Sequence, residues 1–140
     1  PRLAEAPSWQ RRFAILDEAL LHRMAIAQPV EPQLSWAWNR LTASNGRVRV
    51  AELAGELELS RGLLARRFRH ELGLAPKTAA RLLRFDAAYA RRDRAGAEGW
   101  AAIAAECGYY DQAHLNADFR QFTGATPVAV ADRPTMSTDL

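Results

Sequence analysis

The chain has 140 residues, 49% of them hydrophobic and 25% charged, a balance that suits one globular domain with short extensions rather than a disordered or low-complexity chain. No apolar run approaches the ~20 residues of a membrane span and no stretch reads as a signal peptide, so a cytoplasmic protein without a membrane partner is expected; Cys107 is the only cysteine, which rules out an intramolecular disulfide and argues against structural zinc, and no cofactor is expected. The net charge of +3 conceals a basic band, since residues 61–94 carry nine Arg and one Lys against three acids while residues 95–140 carry two Arg against six acids, and such a band fits either a polyanionic partner or a solvated arginine-rich helix face.

Ala, Leu, Arg and Glu dominate and no long period-two pattern occurs, so an all-α fold is expected. The sequence opens at Pro1 rather than Met and is read as a fragment of a longer chain. Trp9, Phe13, Leu16, Leu20 and Met24 mark one face of a helix from about Ser8, its N-cap, to Ala27. Pro29 and Pro32 end that helix and open a linker. A second helix spans about Gln33–Ala43, with Leu34, Trp38 and Leu41 inward, and the Asn45-Gly46 turn closes it. A third spans about Val50–Leu57. Ser60 caps a fourth, Arg61–Leu72, which stops at Gly73. Pro76 opens a long helix to about Asp93, with Leu82, Phe85 and Tyr89 on one stripe. Gly96 and Gly99 punctuate a loop. Trp100–Cys107 is a sixth helix; a seventh starts at Asp111 or Gln112, runs to Phe122 and is ended by Gly124. Pro127 begins a short last helix, and the chain from about Asp132 is polar, aperiodic and frayed.

A weak internal repeat organises these elements. Ala51, Leu53, Ala54 and Glu56 match Ala101, Ile103, Ala104 and Glu106 at an offset of 50, and Leu64, Phe68, Arg69, Gly73 and Pro76 match Leu115, Phe119, Arg120, Gly124 and Pro127 at 51. The offset grows inside a turn, where an insertion disturbs neither helix face. Each copy reads as a short helix, a tight turn, a longer helix and Gly-x-x-Pro, with a small residue, Ala54 or Ala104, where two helices cross. This is a helix-turn-helix pattern; a helical hairpin used only for packing has the same outline. Glu58 stands where the second copy has Gly108, and a non-glycine in a left-handed turn costs ~1 kcal/mol.

Over roughly residues 33–130 these features resemble the DNA-binding domain of the AraC/XylS family of bacterial transcription regulators. In the first copy the resemblance rests on Val50-Ala51-Glu52-Leu53-Ala54, Ser60, Leu64, Arg67-Phe68-Arg69, Leu72-Gly73 and Pro76. The stretch Arg81-Leu82-Leu83-Arg84-Phe85 resembles that family's connecting helix. In the second copy it rests on Ile103-Ala104, Gly108-Tyr109, Asp111-Gln112, His114-Leu115, Asp118-Phe119-Arg120, Thr123-Gly124 and Thr126-Pro127. The resemblance implies two helix-turn-helix subdomains, 32–75 and 95–130, joined by the connecting helix 76–94. Outside the resemblance, periodicity gives an N-terminal helix and linker over 1–31, and polar composition a flexible tail over 131–140. The implied partners are double-stranded DNA, RNA polymerase, and an effector or dimerisation domain lying before Pro1.

Carried over position by position, the first recognition helix presents Arg61, Gly62, Ala65, Arg66 and Arg69. Arg66 is the expected base reader, because Arg can engage guanine O6 and N7 together; Arg61 and Arg69 suit phosphates. Gly62 and Ala65 depart from the bulkier polar residues frequent there. The second helix presents Asp111, Gln112, Ala113, His114, Asn116 and Ala117. Gln112 and Asn116 can pair with adenine edges, Asp111 can instead cap the helix, and His114 can meet DNA or a partner within the protein. Ala117 departs from a frequently basic position. Lys77, Arg120 and the backbone amides near Val50 and Pro127 are the expected phosphate contacts, with Arg81 and Arg84 less so because the connecting helix lies partly away from DNA.

No catalytic spacing or phosphate loop occurs, and His22, His70 and His114 form no ligand pattern; the chain is expected not to be an enzyme. Two alternatives stand beside DNA-binding regulation: a helical protein-interaction module using the Trp9–Met24 stripe, and a methyl-acceptor regulator of DNA repair using Cys107, whose place on an inner helix face favours a packed thiol.

Overall fold

The computed structural model describes residues 6–26 and 29–132, with the side chains of Met24, Ile26 and Ala97 outside that description. All regular structure among the described residues is helical. The chain divides into two compact units, one ending at Glu31 and the other beginning at Pro32. The expected helix end at Ala27 and the tail over 133–140 lie outside the described residues.

The N-terminal body, ending at Glu31, holds α1 (Trp9–Ile26). Ser8 caps it as expected, its Oγ accepting the Arg11 amide at 3.2 Å. The stripe of Trp9, Phe13, Leu16 and Leu20 is exposed. The Trp9 and Phe13 rings lie 6.1 Å apart, and the Arg12 guanidinium covers the Trp9 ring at 4.8 Å.

The body that begins at Pro32 opens with α2 (Pro32–Ala43). Pro32 is its first residue rather than part of the linker; a helix makes no use of its first amides, so proline is suited there. Leu34 and Leu41 are fully buried as expected, but Ala37 completes the inward stripe and Trp38 lies at its edge, 36% exposed. The chain then turns through Asn45 and Gly46, both at positive φ. A Cβ on Gly46 would sit 2.1 Å from the Ala80 carbonyl oxygen, so glycine is what allows the later helix α5 to approach this turn.

The helices α3 (Val50–Glu56) and α4 (Arg61–Leu72) follow, and α7 (Trp100–Glu106) and α8 (Gln112–Thr123) repeat them. Ser60 caps α4 by accepting the Leu63 amide at 3.1 Å; Asp111 caps α8 by accepting the His114 amide at 2.8 Å. Gly73 and Gly124 end the two helices in the left-handed conformation, and Pro76 and Pro127 each open the next one. Ala54 and Ala104, the expected crossing points, are buried.

Between the pairs runs α5 (Pro76–Tyr89), shorter than the expected reach to Asp93. The arginines beyond its end close it: Arg91 Nη1 donates to the Ala87 carbonyl at 2.7 Å and Arg92 Nη1 to the Tyr89 carbonyl at 3.2 Å, taking acceptors left free at a helix terminus. A 3-10 turn (Arg92–Arg94) and the short helix α6 (Ala95–Glu98) replace the expected loop. The buried stripe of α5 is Pro76, Ala79, Ala80, Ala87 and Ala88, whereas Leu82 and Tyr89, expected inward, are exposed and Phe85 is partly buried. Small residues win because α5 is packed by two cores at once. Ala79 and Ala80 join Leu34, Leu41, Leu53, Leu64 and Phe68; Ala87 and Ala88 join Trp100, Ile103, Leu115, Phe119 and Val130 of the second core, which α9 (Pro127–Ala131) closes.

The repeat therefore starts earlier than α3. Ala37 and Ala88, both fully buried, stand at the same offset of 51. So do Arg40 and Arg91, which pair with Glu56 and Glu106, each at 3.2 Å. The repeated unit is a leading helix, a helix-turn-helix pair and a closing helix, and α5 serves as closing helix for the first unit and leading helix for the second.

Candidate nucleic-acid interface

The inward apolar side chains of α4, Leu64 and Phe68, fix which face is left for solvent. That face presents Arg61, Gly62, Arg66 and Arg69, with Ala65 half-buried at its margin. Arg61, Arg66 and Arg69 form no hydrogen bond or ion pair through their side chains with any described residue. Such a row leaves three guanidinium groups open to solvent or to an anionic ligand.

On α8, Leu115, Asp118 and Phe119 face inward. Gln112, Ala113, His114, Ala117 and Arg120 are exposed and Asn116 is half-buried. The two open readings of Asp111 and His114 resolve in part. Asp111 is the helix cap, its carboxylate held by the His114 amide. The His114 ring packs edge-on against Tyr109 at 5.3 Å. At the matched positions the two faces differ in charge: Arg61, Ala65 and Arg66 of α4 correspond to Gln112, Asn116 and Ala117 of α8.

Lys77 is exposed in the first turn of α5. It lines a cavity of about 270 Å³ together with Arg47, Arg49 and Arg84, and no acidic side chain borders that cavity. These four cationic residues beside the start of α3 suit an anion, with Arg47 Nε and Arg84 Nη1 already donating to the Ser44 and Gly46 carbonyls. Arg47 and Arg49 were not among the residues singled out from the sequence, because the acids of 31–60 balance their charge in any segment sum. The signal was there: Arg-Val-Arg ends immediately before α3.

Arg81 and Arg84 are engaged within the protein. Arg81 Nη2 lies 2.5 Å from Asp118 Oδ1 and 2.6 Å from Gln121 Oε1. Arg84 Nη1 donates to the Gly46 carbonyl at 2.8 Å and covers the Tyr109 ring at 5.9 Å. Asp118 is thus a buried acid paired with the partly exposed Arg81, which the sequence pattern, marking inward positions by apolarity, does not reveal.

Cys107 is buried in the second core. Desolvation holds its thiol above the ordinary range, opposed by the charge of Arg91, so the reactive thiolate is disfavoured. Burial also raises the Tyr109 phenol, with the charge of Asp118 adding to it. Among the described residues no group of His, Cys, Asp and Glu is placed to hold a metal, and no helix is long and apolar enough to cross a membrane.

A family model described as a helix-turn-helix domain matches residues 53–133, more than half of the chain, from α3 through both helix-turn-helix pairs and past α9. Comparison with curated proteins and with solved structures gives no significant match. With two capped helix-turn-helix pairs, an exposed arginine row and this match, the chain belongs to the AraC-type helix-turn-helix family, whose domain is that of a DNA-binding transcription regulator.

Proposed function

We propose that this chain binds duplex DNA sequence-specifically, with α4 and α8 as recognition helices in successive major-groove segments on one face of the DNA. The observation that carries this reading is the duplicated, capped pair of 12-residue helices whose outward positions hold Arg66 in one copy and Gln112 and Asn116 in the other. Arg66 reads guanine, and Gln112 and Asn116 read adenine edges. Gly62, Ala65, Ala113 and Ala117 give close approach and methyl contacts to thymine. Arg61, Arg69, Arg120 and the Lys77–Arg47–Arg49 cluster hold phosphates. His114, exposed and packed edge-on against Tyr109, contacts the backbone. The basic excess lies in the first unit and α5, so the first unit supplies most of the affinity and the second mainly selectivity.

The exposed stripe of α1 suits the linker to an effector or dimerisation domain, with RNA polymerase as the downstream partner and the bacterial cytoplasm as the place of action. Selection of bound duplexes from a random pool tests the reading. Two short motifs about one helical turn apart are expected; a single motif removes α8 from the reading, and no enrichment removes DNA recognition by this chain. If α1 were instead the main functional surface, deleting residues 1–30 would abolish activity while the arginines of α4 would be dispensable.

A further inference from the structure

Asp118 is 1% exposed and lies on the inward side of α8, directly beside the outward Ala117. Arg81 of α5 meets it through two nitrogens, Nη2 at 2.5 Å and Nε at 3.2 Å. The same guanidinium holds Gln121 Oε1 at 2.6 Å and lies 5.5 Å from the centre of the Phe122 ring. Three side chains within about one turn of α8 are therefore met by one side chain of α5. One turn further along α5, Arg84 ties the Gly46 carbonyl of the first unit to the Tyr109 ring of the second.

The first unit does the same at the same register. Arg67, which corresponds to Asp118 at the offset of 51, donates Nη1 to Gln33 Oε1 of α2 at 2.9 Å. Each recognition helix is thus attached to the leading helix of its own unit by a polar contact from one matched position. Packing does not need this. A buried ion pair is often no more stabilising than apolar residues of similar volume. What one guanidinium held by two side chains of α8 adds is direction: Asp118 Oδ1 and Gln121 Oε1, nearly one turn apart, are met together at one rotation and one axial position of α8, and apolar side chains can slide where this contact cannot.

We propose that Arg81 and Asp118 are positioning residues that fix the rotation and axial register of α8 on α5, and so set the spacing between the DNA segments read by α4 and α8. The proposal rests on the two-helix reading above. Its test uses the double variant Arg81→Met/Asp118→Leu, which removes the pair without leaving a lone buried charge. The first measurement needs no DNA: the distance distribution between spin labels at His70→Cys and Ala117→Cys, in a Cys107→Ala background. The second is affinity for duplexes whose two motifs stand at the selected spacing or one base pair closer or farther.

The protein with the pair intact gives one narrow distance and loses roughly tenfold affinity when the spacing changes, the size of a typical base mismatch. The double variant keeps its melting temperature, gives a broadened distribution and loses less than about threefold, since the register is no longer held. A folded double variant with an unchanged distribution and an unchanged spacing penalty overturns the proposal. Should the double variant fail to fold, Arg81→Lys, which keeps the charge and loses the fork, is read by the same two measurements and the same criteria. Absence of DNA binding by the unaltered chain defeats the two-helix reading, whereas the distance distribution still decides whether the pair holds α8.

Discussion

Glu58 and Gly108 occupy the same turn position in the two helix-turn-helix pairs, Glu58 at φ 55° and Gly108 at φ 78°. Both turns close alike: the amides of Glu58 and Gly108 donate to Gly55 and Ala105 at 3.0 and 3.2 Å, and those of Leu59 and Tyr109 to Ala54 and Ala104 at 2.8 and 2.9 Å. Left-handed backbone costs a residue with a Cβ ~1 kcal/mol or more, and glycine returns part of that gain as unfolded-state entropy. Glu58→Gly is therefore expected to raise the melting temperature by a few degrees. Gly108→Ala is expected to lower it by more, because its Cβ would also lie 2.7 Å from Arg47 Cγ. Thermal denaturation followed by circular dichroism checks both; a fall in Tm for Glu58→Gly would contradict the account of this turn.

The charge difference between α4 and α8 separates affinity from selectivity. Arg66→Glu places repulsion against a phosphate-lined groove and is expected to abolish binding to the selected duplex. Gln112→Ala is expected to weaken it by ~1–3 kcal/mol on that duplex alone, flattening the preference at one adenine. Titrations against the selected duplex and a set of single-base changes distinguish the two. Equal losses from both substitutions would contradict the division of labour.

The phosphate contacts proposed for the cavity lined by Arg47, Arg49 and Lys77 carry no sequence information. Arg49→Ala and Lys77→Ala are each expected to weaken selected and random duplexes alike and to reduce the salt slope by about one. A loss confined to the selected duplex would place these residues at base edges instead.

Cys107 is 2% exposed with its thiol held up by burial, so the thiolate is disfavoured relative to an exposed cysteine. Alkylation by iodoacetamide in the native protein is expected to be slower than in the urea-unfolded chain by on the order of 100-fold. Equal rates, or stoichiometric methyl transfer to Cys107, would restore the repair reading.

The parts of the fold legible in the sequence are those with local causes. Ser60, Gly73, Gly124, Pro76 and Pro127 punctuate the chain by backbone chemistry, and each stands at the helix end expected of it. The parts that escaped depend on tertiary packing. Trp38 and Leu82 have the apolarity of core residues, yet Ala37, Ala79, Ala80, Ala87 and Ala88 hold the interior, because α5 is pressed against two cores and only small side chains fit. The early start of the repeat was present in Ala37, Arg40, Ala88 and Arg91, but alanine and arginine are too common here to stand out. For the candidate interface, the outward face of α4 followed from Leu64 and Phe68 alone. Asp118 did not, since nothing local marks a buried acid before its partner Arg81 is seen.

The most direct test of the two-unit DNA-binding account is fluorescence anisotropy of the selected duplex, titrated with the chain across a series of salt concentrations and against a scrambled duplex. The account predicts tighter binding to the selected duplex, with log K falling linearly against log salt at a slope that counts several phosphates. Binding that is equal for both duplexes, or flat with salt, would contradict it.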